Sequence, residues 1–381
     1  MKDRAMQALY LLALEPVAET QADPNSYGFR AARSTADAIQ QCFVTLSHLD
    51  DSAEWVFEGD IKGCFDNISH EWMLTHVPTD TTVLRKWLRA GFEEKRIWFP
   101  TEAGMPQGGI ISPTLANITL DGLERLLRER FRASLSSGPH ALRKWHNPRV
   151  HLVRYADDFV ITGRSKELLE DEVRPLVESF LNERGLRLSP EKTKITHISD
   201  GFDFLGQNVR KHRKKLLIMP ATKNVHAFLT HFRTILQNNV ASSQLPLIRH
   251  LNLVIRGWAN YHRHVASKTT FAKVDNCIWE ALWRWAKRRH PKKTPGWIAG
   301  KYWHPIGSRS WEFAVDTGEK TASGKPIWVK LARASAIPIR RYVKIRSDAN
   351  PSDPRWRAYL EERAISKELH FDARTRKKQR S

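Results

Sequence analysis

Two short apolar runs, Leu152-Val153-Arg154-Tyr155 and Phe159-Val160-Ile161-Thr162, stand on either side of Ala156-Asp157-Asp158. Runs of that length joined by so few residues pair by folding back on each other, so they predict an antiparallel hairpin with two adjacent acids at its tip. A second run, Trp55-Val56-Phe57-Glu58-Gly59-Asp60-Ile61, reads as a buried strand with another acid at its end, followed by a Gly63 turn and a helix from about His70. Apolar positions from Asp3 to Glu19 suit a helix stopping near Pro16, and Asn25 to Arg33 reads as a turn before a helix capped by Ser34 or Thr35. The Gly/Pro loop from Ala103 to Pro113 leads into an apolar helix through Leu115, Ile118, Leu123 and Leu126. Glu167 to Arg184 predicts a helix ended by Gly185, and Phe202 to Gly206 a short strand. Helices and strands mixed in this order, with an antiparallel hairpin among them, predict an α+β fold rather than a doubly wound parallel sheet.

Charge divides the chain. Residues 1–206 hold 25 basic and 30 acidic side chains while residues 207–381 hold 37 and 11, so a half of net −5 is joined to one of net +26. A field of that size attracts polyanions, above all phosphate backbones. With 41% hydrophobic residues and 14 Trp, the chain is not a disordered polyelectrolyte, which would lack the apolar surface to offset its ordering entropy. Cys42, Cys64 and Cys277 form no CxxC pair, which excludes a disulfide framework or a Cys-based zinc site and fits a reduced, cytoplasmic compartment. The apolar opening from Met6 to Leu14 is too short to span a bilayer, so no membrane partner is expected.

Past Gln207 the pattern turns helical. Leu247, Leu251, Val254, Trp258, Tyr261 and Val265, and then Phe271, Val274, Ile278, Leu282 and Trp285, recur at helical spacing and mark two amphipathic helices. Their aromatic stripes read as core, because a helix needs such a face to stay docked. The opposite faces and the following loop carry Arg284, Lys287, Arg288, Arg289, Lys292 and Lys293, the candidates for phosphate contacts. His262 and His264 have no Cys or acid at ligand spacing and read as polar surface residues.

Acids at strand ends are costly to bury unless something cationic compensates them. If Asp60, Asp157 and Asp158 converge, hard divalent cations such as Mg2+ remove their mutual repulsion, and a pair of such ions activates a hydroxyl and holds a leaving pyrophosphate. That is nucleotidyl-transfer chemistry.

The motifs around these acids, in order, are Asp3-Arg4-Ala5-Met6-Gln7, Ser26-Tyr27-Gly28-Phe29-Arg30 with Arg33-Ser34, Gly59-Asp60-Ile61-Lys62-Gly63-Cys64-Phe65-Asp66-Asn67-Ile68, Gly104-Met105-Pro106-Gln107-Gly108-Gly109-Ile110-Ile111-Ser112-Pro113, Tyr155-Ala156-Asp157-Asp158, Gly185 through Thr196, and Phe204-Leu205-Gly206. From Asp3 to about Phe313 the chain resembles group II intron-encoded reverse transcriptases, also called maturases. The resemblance implies a right-hand polymerase palm with partial fingers over residues 1–206, a helical thumb and maturase domain over 207–315, and a basic linker and tail over 316–381.

It implies RNA-directed DNA synthesis from dNTPs on a DNA primer, with Mg2+ held by Asp60, Asp157 and Asp158 and by the main chain of Ile61. Phe65 looks like the family's aromatic gate against a ribose 2′-hydroxyl, and Gln107 with Gly108 like the loop that lies against the incoming nucleotide. Arg30 and Arg33 are expected to position template or nucleotide phosphates. Lys192 or Lys194 falls in the segment credited with protonating the leaving pyrophosphate. The block Arg256-Gly257-Trp258-Ala259-Asn260-Tyr261-His262 resembles the part of the family that grips intron RNA and assists splicing.

Two departures temper this. Family members usually begin well upstream, whereas this chain opens inside the first block, which raises the alternative of a polymerase-inactive maturase that only binds intron RNA. The region from Ile339 to Arg363 resembles the linker before an HNH endonuclease, but no Cys pair or HNH residues follow, so DNA cleavage is not expected.

Overall fold

A computed structural model describes residues 2–48, 52–94, 97–99, 101, 103–105, 108–135 and 145–365. The chain forms two compact units, one from Met1–Phe202, Lys211–Leu216 and Val343–Ser381, the other from Asp203–Arg210 and Leu217–Tyr342.

The first unit is built on a four-stranded sheet in which His151–Tyr155, Asp158–Gly163, Trp55–Gly59 and Lys194–His197 lie side by side. Every neighbouring pair is antiparallel. The expected hairpin forms with Tyr155 opposite Asp158, and its second strand runs beside the central strand with Gly59 opposite Phe159. Because the register ends there, the end of the central strand and the hairpin tip lie at one end of the sheet. A Cβ on Gly59 would come within 2.2 Å of the Phe159 ring, so any larger residue there would have to displace that buried ring. Phe57, Phe159, Ile161 and Leu152 carry the sheet into a core shared with Leu115, Leu120, Leu127, Val177 and Leu181 from the helices.

Three local expectations change. The first helix runs from Lys2 to Gln21 straight through Pro16. Leu14 and Ala18 are buried on either side of the proline and Tyr10 packs edge-on against Trp87 at 5.1 Å, so tertiary packing outweighs one missing backbone donor. The helix after the Gly/Pro loop is two, Ser112–Leu120 and Leu123–Arg130, separated at Gly122, whose φ of 97° no helix admits. The helix toward Gly185 opens as a π-turn over Leu168–Val173 before Arg174–Asn182, next to Pro175, which has no N–H to give to the preceding turn.

The second unit packs helices Thr222–Asn238, Gln244–His262, Lys268–Arg289 and Pro295–Tyr302 around Phe232, Leu251, Ile255, Phe271, Leu282 and Trp285. Both periodic helices read from the sequence are present, and Trp258 stacks on Phe228 at 4.6 Å as a core side chain. An antiparallel sheet of Trp303–Ile306, Arg309–Lys320 and Pro326–Lys330 adds to this unit, with Phe313 buried against Trp285 and Tyr302. In the stretch after residue 315, expected as a basic linker and tail, strands continue to Lys330, and residues 343–365 group with the first unit. Residues 366–381, the basic end of the chain, lie outside the described residues. Among the described residues no helix is long and apolar enough to cross a membrane.

Candidate active site

Asp60 follows the last residue of the central strand. Its carbonyl accepts the Ser189 N–H at 2.8 Å and the Lys62 N–H donates to the Arg187 carbonyl at 3.0 Å, closing a bridge between Ile61 and Leu188. This long-range pairing sets residues 187–192 against the acid end of the strand. Lys192 Nζ accordingly lies 2.8 Å from Asp60 Oδ2, while Lys194 Nζ faces Glu58 at 3.3 Å. The two lysines that the sequence left equivalent are thus separated. The hydrogen bond to Asp60, and then the charge of Asp60, hold the exposed Lys192 ammonium above the usual lysine range.

Asp158 is influenced by the other two acids. Burial, followed by the negative charges of Asp157 and Asp60, raises its carboxyl above the usual carboxylate range, with only Lys192 pulling the other way. Among the described residues no group of three or more His, Cys, Asp or Glu side chains forms a ready metal-holding cluster. The donors nevertheless suit a hard divalent cation: carboxylate and main-chain oxygens are hard ligands, and a carboxyl raised by burial and then by its acidic neighbours is one that a cation would relieve.

The tip is braced from behind. Ala156 adopts φ 57°, a left-handed conformation uncommon for a residue other than glycine, at the turn of the hairpin. Gly28 lies flat against it, since a Cβ there would come within 2.3 Å of the Ala156 nitrogen. Tyr27 N–H donates to the Arg154 carbonyl at 2.9 Å and Arg154 N–H to the Asn25 carbonyl at 3.0 Å, so the loop of residues 25–28 pairs with the hairpin. The buried Arg154 guanidinium donates to Asn117 Oδ1 at 3.2 Å, to the Ala156 carbonyl at 3.3 Å and to Asp121, with which it forms a buried ion pair. Neither the sequence pattern nor the motif singled out Arg154; a lone Arg inside an apolar strand run was the available signal.

Arg30 and Arg33, expected to meet phosphates, are buried instead. Arg30 holds Glu19 through two hydrogen bonds of 2.7 and 2.6 Å and also donates to the Asp23 and Ser26 carbonyls. Arg33 donates to the carbonyls of Pro24, Ser347 and Ala349, and burial pushes its guanidinium down to about 10. Their charge is spent inside the protein, on the loop that backs the hairpin.

Phe65 is half-buried on the core, with its ring edge-on to Phe29 at 6.4 Å. Phe29 follows Gly28, whose backbone lies against Ala156, so Phe65 is linked through Phe29 to the loop that backs the hairpin. The Met105 N–H donates to the Phe65 carbonyl at 2.7 Å, which ties the Gly/Pro loop to the same place. Gly108 is exposed with open space where a Cβ would point, and Gln107 lies outside the described residues.

In the second unit Arg256, Arg284, Lys287, Arg288, Lys292 and Lys293 are exposed. Arg289 is not of this group: it donates to the Val240 carbonyl at 3.0 Å and to that of Ser242, over the Trp285 ring. Lys287 and Lys293 stand over the rings of Trp283 and Trp297 at 5.7 and 5.2 Å, giving the cations aromatic neighbours. His262, expected at the surface, is fully buried between the side-chain amides of Gln207 at 3.1 Å and Asn224 at 2.8 Å. Burial, and then His264, push it down to about 4, so it is a neutral core side chain.

The family described as reverse transcriptase (RNA-dependent DNA polymerase) matches residues 1–209, and the group II intron maturase-specific domain matches residues 225–303. Over 245 residues the chain is 34% identical to protein YkfC of Escherichia coli, covering 56% of this chain and 62% of that protein. It is 27% identical over 341 residues to the group II intron-encoded protein LtrA of Lactococcus lactis, covering 68% of this chain and 56% of LtrA. The chain thus spans less than two thirds of the length of these relatives. A solved telomerase from Candida albicans is similar at a TM-score of 0.40 and 12% identity over 77% of this chain and 56% of that one. With one family spanning more than half of its residues and the maturase-specific domain following in order, the chain belongs to the reverse transcriptase family, among the group II intron-encoded reverse transcriptase/maturases.

Proposed function

We propose that this chain is an RNA-directed DNA polymerase of the group II intron type, extending a DNA primer with dNTPs on an RNA template, and that its second unit holds intron RNA and assists splicing. The observation that carries the reading is the strand register that brings Asp60 to the hairpin tip beside Asp157 and Asp158.

Asp60, Asp157, Asp158 and the Ile61 main chain would hold Mg2+. When bound, the metal supplies positive charge that activates the primer hydroxyl and offsets charge on the leaving pyrophosphate. The protein's own groups do the rest. Lys192, rather than Lys194, is the lysine set against Asp60 and is the candidate to protonate the leaving pyrophosphate. Phe65 limits the space at the sugar, and Gly108 leaves backbone open to the nucleotide. Arg30 and Arg33 act from behind the site rather than on phosphate.

The test is primer extension with an RNA template, DNA primer, Mg2+ and dNTPs, and a protein that incorporates nothing loses the proposal. Under the same conditions Phe65→Ala should relax the preference for dNTPs over rNTPs by about tenfold or more, because a clash against the 2′-hydroxyl is removed. Unchanged discrimination in single-nucleotide incorporation would show that Phe65 is only a core ring.

RNA binding should weaken steeply with salt. Six exposed cations on the second unit suggest a slope of log K against log salt of roughly −4 to −5, and Arg284→Ala with Arg288→Ala should make it shallower by about 2. Fluorescence anisotropy of labelled intron RNA across a salt series reads both. A flat salt response would remove the second unit as the RNA-binding surface.

A further inference from the structure

After the second unit, residues 343–365 return to the first. Asp37, fully buried near the start of helix Thr35–Leu46, accepts the Ile345 N–H at 2.7 Å and Arg363 Nη2 at 2.7 Å through the same oxygen. Arg33 Nη2 donates to the carbonyls of Ser347 at 2.9 Å and Ala349 at 3.2 Å. Ser347 Oγ donates to Asn25 Oδ1 at 3.2 Å, and Ile345 and Ala349 are themselves buried. One buried anion and one buried cation thus draw main-chain partners from a segment more than three hundred residues away, beside the Ser34 hydroxyl that donates to Asp37 at 2.8 Å and the Glu19 carboxylate 3.7 Å from Arg33. Main-chain partners fix the register of that segment in a way that a surface ion pair does not.

The same loop continues to the hairpin. Residues 25–28 pair with Arg154, and Gly28 lies against Ala156 with no room for a Cβ. We infer that residues 343–363 are a positioning strap: by satisfying Arg33 and Asp37 they fix the loop of residues 25–33, and through it the tip that carries Asp157 and Asp158. Arg33, Asp37 and Arg363 are then positioning residues, whose charges are engaged within the protein. Without the strap two buried charges lose part of their partners, and such groups are relieved by turning toward water, which loosens the loop that carries Arg33 from the hairpin. The effect on synthesis rests on the polymerase reading; the effect on the loop does not.

The experiment uses the full chain, unaltered and as Arg363→Ala and Arg363→Lys, with two readouts. Hydrogen exchange followed by mass spectrometry should show peptides covering 25–33 and 151–158 exchanging about tenfold faster in Arg363→Ala, while peptides covering Trp55–Gly59 and the helix Lys268–Arg289 stay as protected as before. Primer extension should fall in kcat with the dNTP KM nearly unchanged, and Arg363→Lys, which keeps a cation at Asp37, should recover both readouts in part. Faster exchange confined to residues 343–365 overturns the inference, because the strap then positions nothing. Protection lost throughout the first unit overturns it as well, since the segment is then a general staple. An unaltered chain that extends no primer removes the polymerase reading alone, and the exchange pattern still decides the strap.

Discussion

Asp157→Asn is expected to lower primer extension by about three powers of ten or more, while leaving the fold and RNA binding intact. The substitution keeps the size of the side chain and removes one negative oxygen from the hairpin tip. If the carboxylate holds Mg2+, the loss falls on transition-state charge, where one well-placed electrostatic group is worth roughly 3–4 kcal/mol and a metal ligand more. Stability should move little, or slightly upward, because Asp158 is held above its usual range partly by the charge of Asp157 and gains relief when that charge is removed. This opposite behaviour of rate and stability separates a functional acid from a structural one. Single-turnover extension on an RNA template beside a urea melt measures both. Equal rates for the variant and the unaltered chain would end the assignment of Asp157. Tight, salt-sensitive RNA binding by a chain that extends nothing would leave the binding-only maturase.

How much of this could be read from the residues depended on how far apart the partners lie. The hairpin and the central strand were legible because each is a short apolar run ending in acid, and a strand's identity is written in its own residues. The pairing of Ile61 with Leu188 is not local, so nothing in the spacing of Lys192 and Lys194 told which one would stand over Asp60. The same reason explains Arg30 and Arg33. A basic pair in a motif that resembles a polymerase family suggests a phosphate, yet Glu19 and the carbonyls of Ser347 and Ala349 claim it, and only the fold brings those together. His262 looked like surface because it is polar. Its two amide partners, Gln207 and Asn224, sit 55 and 38 residues away. The sheet after Tyr302 carried a weak signal in the alternation of Trp311, Phe313 and Val315 and in the turn at Gly324, which the basic composition around it obscured.

The largest effect on stability should come from Arg154→Met, with an expected loss of about 3–5 kcal/mol. The side chains of Arg154 and Asp121 are 1% and 9% exposed, so solvent does little to screen the pair. Methionine fills comparable space but offers no donor, and three acceptors lose one at once: the Asp121 carboxylate, the Asn117 side chain and the Ala156 carbonyl. The first is the costly one, because an ionised carboxylate stranded in the core must take up a proton or bring in water. Adding Asp121→Asn to Arg154→Met should therefore return a substantial part of the loss, a coupling that two independent sites would not display. The third acceptor links stability to function. The Ala156 carbonyl belongs to the left-handed residue beside Asp157, so even the double variant, folded again, should extend primers more slowly than the unaltered chain. Urea midpoints for the single and double variants, with extension measured well below their melting temperatures, test this directly. Full recovery of both stability and rate in the double variant would mean that Arg154 serves only to neutralise Asp121, and that the hairpin tip holds its shape without it.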